Sequence, residues 1–290
     1  MSKTRTGGFT IGFRRGWSDW QKDLGAVLKW AKANDFGALD IGNAGDAEGK
    51  AVLAAGLRIG TVDLKDWQGM ISPDKAKRAD AIAKNAEYVK AYAACGAVNH
   101  FVVMLPEKPD LPREKNFGFM VESFSELAPV MEKSKARLSI EGWPGPGALC
   151  CTPEGFRAFF KECPSKAMAI NFDPSHLIRM GIDPMRFLRE FADRVCHVHG
   201  KDTELFPERL YDLGHEQPPT FAKSFGFGGG HWRYTIPGHG VMSWSEAFKV
   251  LKERKYSGCV CIELEDQNFN GAEDTEKLGL TLGQRYLEGC

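Results

Sequence analysis

Eight times along this 290-residue chain, a short apolar or β-branched run gives way to a segment with helical spacing. The runs are "FTIGFR" (9–14), "GALDIG" (37–42), "LRIGTVDL" (57–64), "NHFVVML" (99–105), "ARLSIEGW" (136–143), "MAINFD" (168–173), "VCHVHGKD" (195–202) and "GCVCIELE" (258–265). Between them, apolar residues recur at intervals of three and four: Leu24, Val27, Leu28 and Ala31; Ile82, Ala86, Val89 and Ala93; Trp244, Ala247, Phe248 and Leu251. "TPEGF" at 152, "DPMRF" at 183 and "SWSEA" at 243 are helix starts, each a capping residue followed by proline or an early glutamate. Such alternation predicts parallel strands joined by right-handed crossovers, and eight of them close a (β/α)8 TIM barrel. An open doubly wound sheet would carry a G-x-G-x-x-G turn after its first strand, where this chain reads "GFRRGWSDW". The length suits one barrel domain over 1–290, without internal repeats. One connection is outsized: 203–242, rich in Gly, Pro and aromatics, follows the seventh strand, and a loop of that length is usually functional.

Lysine plus arginine equals aspartate plus glutamate, 38 each, so the chain as a whole has no field to gather a polyanion, and nucleic acid is not expected as a partner. No segment approaches the roughly 20 apolar residues of a membrane span, and the N-terminus lacks a signal-like apolar stretch. The expectation is a cytoplasmic protein without membrane contact. The eight cysteines lie in apolar runs or side by side, which fits reduced thiols. "CVC" at 259–261 has no second cysteine pair to complete a thiolate metal site.

In a barrel, chemistry gathers at the C-terminal ends of the strands, and inward residues alternate with outward ones. Glu141 ends the fifth run; Asp173 ends the sixth, with Asn171 on its phase; His197, His199 and Lys201 share a face in the seventh; Glu263 and Glu265 do so in the eighth. Three carboxylates converging on one cavity need a cation between them, because an unpaired buried carboxylate costs several kcal/mol. With one imidazole they form a hard, oxygen-rich set suited to Mn²⁺ or Mg²⁺, with Co²⁺ or Zn²⁺ as alternatives.

Glutamate at strand five, "FDPSH" at six, "HGKD" at seven and glutamate at eight resemble the xylose isomerase-like TIM-barrel superfamily, the sugar phosphate isomerases and epimerases. The resemblance implies a metal held by Glu141, Asp173, His199 and Glu263. It implies substrate contacts from His176, Lys201 and, out of the long loop, Arg233, while the aromatic face of Trp143 suits a sugar ring. Lys201 and Asp202 fill the H-x-K-D positions. "ALDIGN" and "TVDLKD" end strands two and three in aspartate, where the remotely related abasic-site endonucleases have histidines. Ketose 3-epimerases commonly carry an asparagine and a further glutamate soon after the strand-five glutamate, where this chain reads "EGWPGPG".

The reaction so implied is isomerisation or epimerisation of a sugar or keto-sugar through a metal-stabilised enediolate, with Glu141 and Glu263 as acid and base. A lyase or dehydratase acting on a keto-sugar or keto-inositol would use the same ligands, and a barrel that binds carbohydrate without turnover is a third reading. Barrels of this group often pair, so a homo-oligomer is part of the expectation.

Overall fold

The computed structural model describes residues 1–290. Its strands are β1 (Thr10–Arg14), β2 (Ala38–Asp40), β3 (Arg58–Ile59), β4 (Thr61–Asp63), β5 (Asn99–Val103), β6 (Arg137–Glu141), β7 (Met168–Phe172), β8 (Val195–Gly200), β9 (Asp202–Leu205), β10 (Trp232–Thr235) and β11 (Cys259–Ile262). The helices are α1 (Asp19–Lys22), α2 (Leu24–Ala33), α3 (Asp46–Ala54), α4 (Trp67–Met70), α5 (Lys75–Tyr92), α6 (Arg113–Lys133), α7 (Pro153–Glu162), α8 (Pro174–Arg179), α9 (Pro184–Phe191), α10 (Pro207–Leu213), α11 (Trp244–Glu253) and α12 (Glu273–Glu288).

Nine strands form one parallel sheet in the order β3-β2-β1-β11-β8-β7-β6-β5-β4. The two ends of that order are halves of a single stave, split at Gly60. Backbone bonds from Ile41 N to Thr61 O (3.0 Å) and from Asp63 N to Gly42 O (2.9 Å) tie the second half to the end of β2, the strand that the first half pairs with, so eight staves close the ring. A Cβ at Gly60 would stand 2.1 Å from Asp40 Oδ1 and 2.9 Å from His197 Cε1. Only a residue without a side chain lets the stave pass that close to the barrel interior.

The helical stripes turn inward largely as spaced. Val27, Leu28 and Ala31 of α2 are buried, as are Trp244, Ala247, Phe248 and Leu251 of α11. Burying Phe248 and Leu251 contributes about 1.5–3 kcal/mol each. In α5 the stripe runs through Ala81, Ile82, Asn85, Val89 and Tyr92. Ala93 lies outside it, because the α-helix ends at Tyr92 and a 3₁₀ turn begins. Thr152 caps α7 by accepting from Gly155 N at 3.3 Å, and Asp183 caps α9 by accepting from Met185 N at 2.8 Å. Ser243 precedes α11 without a side-chain cap bond. All eight cysteines are free thiols, and no helix is long and apolar enough to cross a membrane.

The segment after β8 carries structure of its own: β9 and β10 pair antiparallel, with α10 between them. Two buried aspartates tie this ribbon to the barrel. Asp202 accepts from Met242 N (3.0 Å) and Trp244 Nε1 (3.2 Å), and Asp266 accepts from Arg233 (3.0 Å), Thr235 Oγ1 and Ile236 N (3.2 Å).

Candidate metal centre

Residues two apart on a strand face the same way, so the last inward position of each stave points into one mouth. Glu141 closes β6, Asp173 follows β7, His197 and His199 lie in β8, and Glu263 follows β11. One donor atom each from Glu141, Asp173, His176 and Glu263 lies within 4.8 Å of the others. His199 Nδ1 stands among the same carboxylates, at 2.7 Å from Glu141 Oε2, 3.4 Å from Glu263 Oε2 and 3.7 Å from Asp173 Oδ2. Asp173 divides its two oxygens. Oδ1 caps α8 through Ser175 N (2.9 Å) and Ser175 Oγ (2.6 Å), while Oδ2 has no hydrogen-bond partner.

That vacancy of partners recurs where a cation would need it. Both ring nitrogens of His199 are buried without a hydrogen bond, so the 2.7 Å approach to Glu141 lacks the geometry of one. Buried polar atoms are otherwise nearly always paired. His199 Nε2 instead faces Asp40 Oδ2 at 3.4 Å, and His197 Nε2 meets the same oxygen at 3.0 Å. A carboxylate behind a ligating imidazole fixes the ring and raises its basicity. Charge points the same way: the six carboxylates of Asp40, Asp63, Glu141, Asp173, Glu263 and Glu265 face two permanent cations, Arg14 and Lys201. A divalent ion at Glu141, Asp173, His199 and Glu263 would offset two of the four remaining negative charges. The donors therefore fit a hard divalent cation.

His176 belongs to the cluster in a different capacity. An arginine can only donate hydrogen bonds. Arg179 Nη1 donates to Tyr234 Oη at 2.6 Å, and Tyr234 Oη lies 2.7 Å from His176 Nδ1, which holds the ring in place. His176 Nε2 points at Glu141 Oε1 and Asp173 Oδ2, each 3.3 Å away, and lies 3.5 Å from Lys201 Nζ.

Without a metal, the charges hold one another in their ionised forms. Burial works to raise the Glu141 carboxyl, and so does Glu263, but the His199 and His176 rings keep it far below the usual carboxylate range. Burial likewise opposes ionisation of Glu263, where Lys201, His199 and Arg14 prevail and lower it. Asp173 is lowered against burial by His176 and Lys201. The His199 imidazolium, disfavoured by burial, is raised well above its ordinary value by Glu263 and Glu141.

Lys201 is buried, with Nζ on Glu263 Oε2, 3.0 Å from Glu265 Oε2 and 3.2 Å from Asp173 Oδ2. Trp143, two residues beyond Glu141, is half-buried, with its ring against Gly145. Arg233, expected at the substrate, is nearly buried in ion pairs with Glu204 (2.7 Å) and Asp266 (3.0 Å). Alternation along β10 explains its placement. Neighbours on a strand face opposite ways, and the residue sent to the cluster is Tyr234. Sequence reasoning also missed Arg14, Asp40, Asp63 and Arg179. For the two aspartates a signal existed, since "ALDIGN" and "TVDLKD" end strands on the same inward phase.

The profile of the xylose isomerase-like TIM barrel matches residues 28–282, and the chain belongs to that family. An inosose dehydratase of Clostridium botulinum is 26% identical over 152 residues, 52% of this chain and 48% of that protein. The chain thus spans about half the length of that curated relative. The solved structure of D-psicose 3-epimerase with D-tagatose from Clostridium cellulolyticum H10 superposes with a TM-score of 0.70 at 16% identity, covering 97% of this chain and all of that one. The 3-keto-D-glucoside 4-epimerase of E. coli in its apo form gives 0.69 at 15% identity, over 97% of this chain and 100% of its own. At such identities the structures speak for the fold.

Proposed function

We propose that this chain is a divalent-metal-dependent enzyme that moves a proton beside the carbonyl of a sugar or keto-sugar, as an isomerase or epimerase. One observation carries the reading. Two glutamates from staves that are not neighbours bracket His199 Nδ1, Glu141 at 2.7 Å and Glu263 at 3.4 Å. Glu141, Asp173, His199 and Glu263 are the residues that would hold the ion, with Mn²⁺ or Mg²⁺ preferred. The cation would polarise the carbonyl and stabilise the enediolate left when the adjacent carbon loses its proton.

The protein's own groups supply the rest. Glu141 and Glu263 approach from the fifth and eighth staves, so they reach opposite sides of a carbon held between them, one removing the proton and the other returning it. Depressed carboxylates are weak bases, which makes the acidified carbon indispensable. The His176 ring and the Lys201 ammonium face the substrate oxygens, and Trp143 offers an apolar ring face to the sugar. The test combines metal analysis of the purified protein with proton NMR of candidate keto-sugars in heavy water. Deuterium uptake at retained composition, lost in Glu141→Gln with metal still bound, supports the proposal; full uptake in that variant overturns the role of Glu141.

A dehydratase is the second reading, supported by His176 and by the relative named inosose dehydratase. The His176 ring is placed to hand a proton to a departing hydroxyl, and Tyr234 and Arg179 hold it there. In the same NMR experiment this reading yields a product short of one water.

A further inference from the structure

The opposite end of the barrel, where the strands begin, holds a second concavity of about 410 Å³ that is separate from the metal cluster. Arg58 at the head of β3, Arg137 at the head of β6, Lys135 in the turn after α6, and Arg254 and Lys255 in the turn after α11 all line it. The one carboxylate there is Asp193, paired with Arg254 at 3.4 Å. Arg58 spends its guanidinium on Thr10 Oγ1 (3.4 Å) and Ser257 O (3.0 Å), both neutral. Arg137, Lys135 and Lys255 have no carboxylate within ion-pair distance. Five cations against one anion, in a chain whose charges balance at 38 each, are a concentrated patch.

The backbone makes the patch more telling. Lys135 and Lys255 occupy the left-handed region, with φ of 53° and 57°, at the residue after a helix terminus where glycine is least strained. Complementing the helix dipole does not account for the choice. At the matching left-handed position after α2 stands Asp35, with φ of 61°, an anion at the same kind of terminus. Cations were placed where a neutral residue fits the chain better, and both border the same cavity.

We infer that this concavity is a binding site for a small polyanion carrying a diphosphate or two separate phosphate groups, distinct from the site of chemistry. Guanidinium forks from Arg58 and Arg137 suit phosphate oxygens, and the lysines add compact charges at the rim. The volume falls in the range of small-molecule sites, so a ring attached to the phosphates is accommodated. The concave shape favours a small ligand over an acidic protein surface.

The experiment uses the metal-loaded protein with free Mg²⁺ buffered, and titrates inorganic pyrophosphate, ADP and a sugar bisphosphate by calorimetry. Saturable binding of one pyrophosphate per chain is expected, and the other two ligands separate a nucleotide source from a phosphosugar source. The variant Lys135→Gly/Lys255→Gly relaxes both strained positions, so its thermal unfolding should match or exceed that of the parent while anion affinity falls at least tenfold. Arg137→Ala should weaken binding by a similar factor. Absence of saturable binding, or binding that survives in both variants, overturns the assignment; retention with loss in Lys201→Met would move the anion to the metal mouth instead.

Discussion

His176 owes its orientation to Tyr234, whose Oη, itself held by Arg179, lies 2.7 Å from Nδ1 while Nε2 faces Glu141 and Asp173. Tyr234→Phe removes that control, and a loss of about tenfold in kcat with metal content unchanged is expected from steady-state kinetics and metal analysis. Asp40→Asn acts on the other histidine: the carboxylate behind His199 becomes an amide, and metal affinity should fall about 10–100-fold in a competition titration. The pH response of the metal-free protein has two sides. Glu141, Asp173 and Glu263 are lowered in the fold, so their contribution is complete above the unfolded value near pH 4 and drains away as pH falls further. His199 is raised, so its contribution is complete below about pH 6.5 and is lost as pH climbs through its folded value. Thermal unfolding of the metal-free chain should therefore peak between about pH 5 and 6.5. A flat alkaline limb would mean that His199 is already neutral in that state.

Among the elements, the third stave is the one whose shape its residues dictate most narrowly. At Gly60 it passes so close to Asp40 and His197 that no side chain fits. Gly60→Ala drives a methyl into Asp40 Oδ1 and should destabilise the barrel by about 1–3 kcal/mol in a denaturant titration, with weakened metal binding as the second symptom. The ribbon of β9 and β10 is held differently, by side chains from outside it. Removing the hub in Asp266→Ala strands Arg233 Nη1, Thr235 Oγ1 and Ile236 N. Proteolytic cleavage within 203–242 should speed up, and KM should rise, because Tyr234 rides on β10. The eight strand runs were legible from their apolar and β-branched residues, since a stave covered on both faces has little choice of composition. The ribbon was not: its pairing partners lie 27 residues apart at Trp232 and Leu205, beyond the reach of any local pattern.

For the molecule as a whole, a bound divalent ion should act as a clamp across four staves. Loading at a hundred times the dissociation constant is worth about 2.7 kcal/mol, which raises the unfolding temperature by roughly 5 °C over the chelated protein in a calorimetric scan. The order of elements, the closed barrel and the three carboxylates at its mouth could be read from one dimension, because strand alternation puts every second residue inside and the eight staves repeat that rule. Charge was legible only as a sum. A chain balanced at 38 against 38 gave no hint that five cations would collect at the base of the barrel, opposite the carboxylates of its mouth. Arg14, Asp40, Arg179 and Tyr234 joined the site, and Arg233 met Glu204 and Asp266, on the strength of contacts between residues dozens of positions apart. Periodicity tells a side chain which way to face, but the partner it meets there is chosen by the closing of the ring, and that choice exists only in three dimensions.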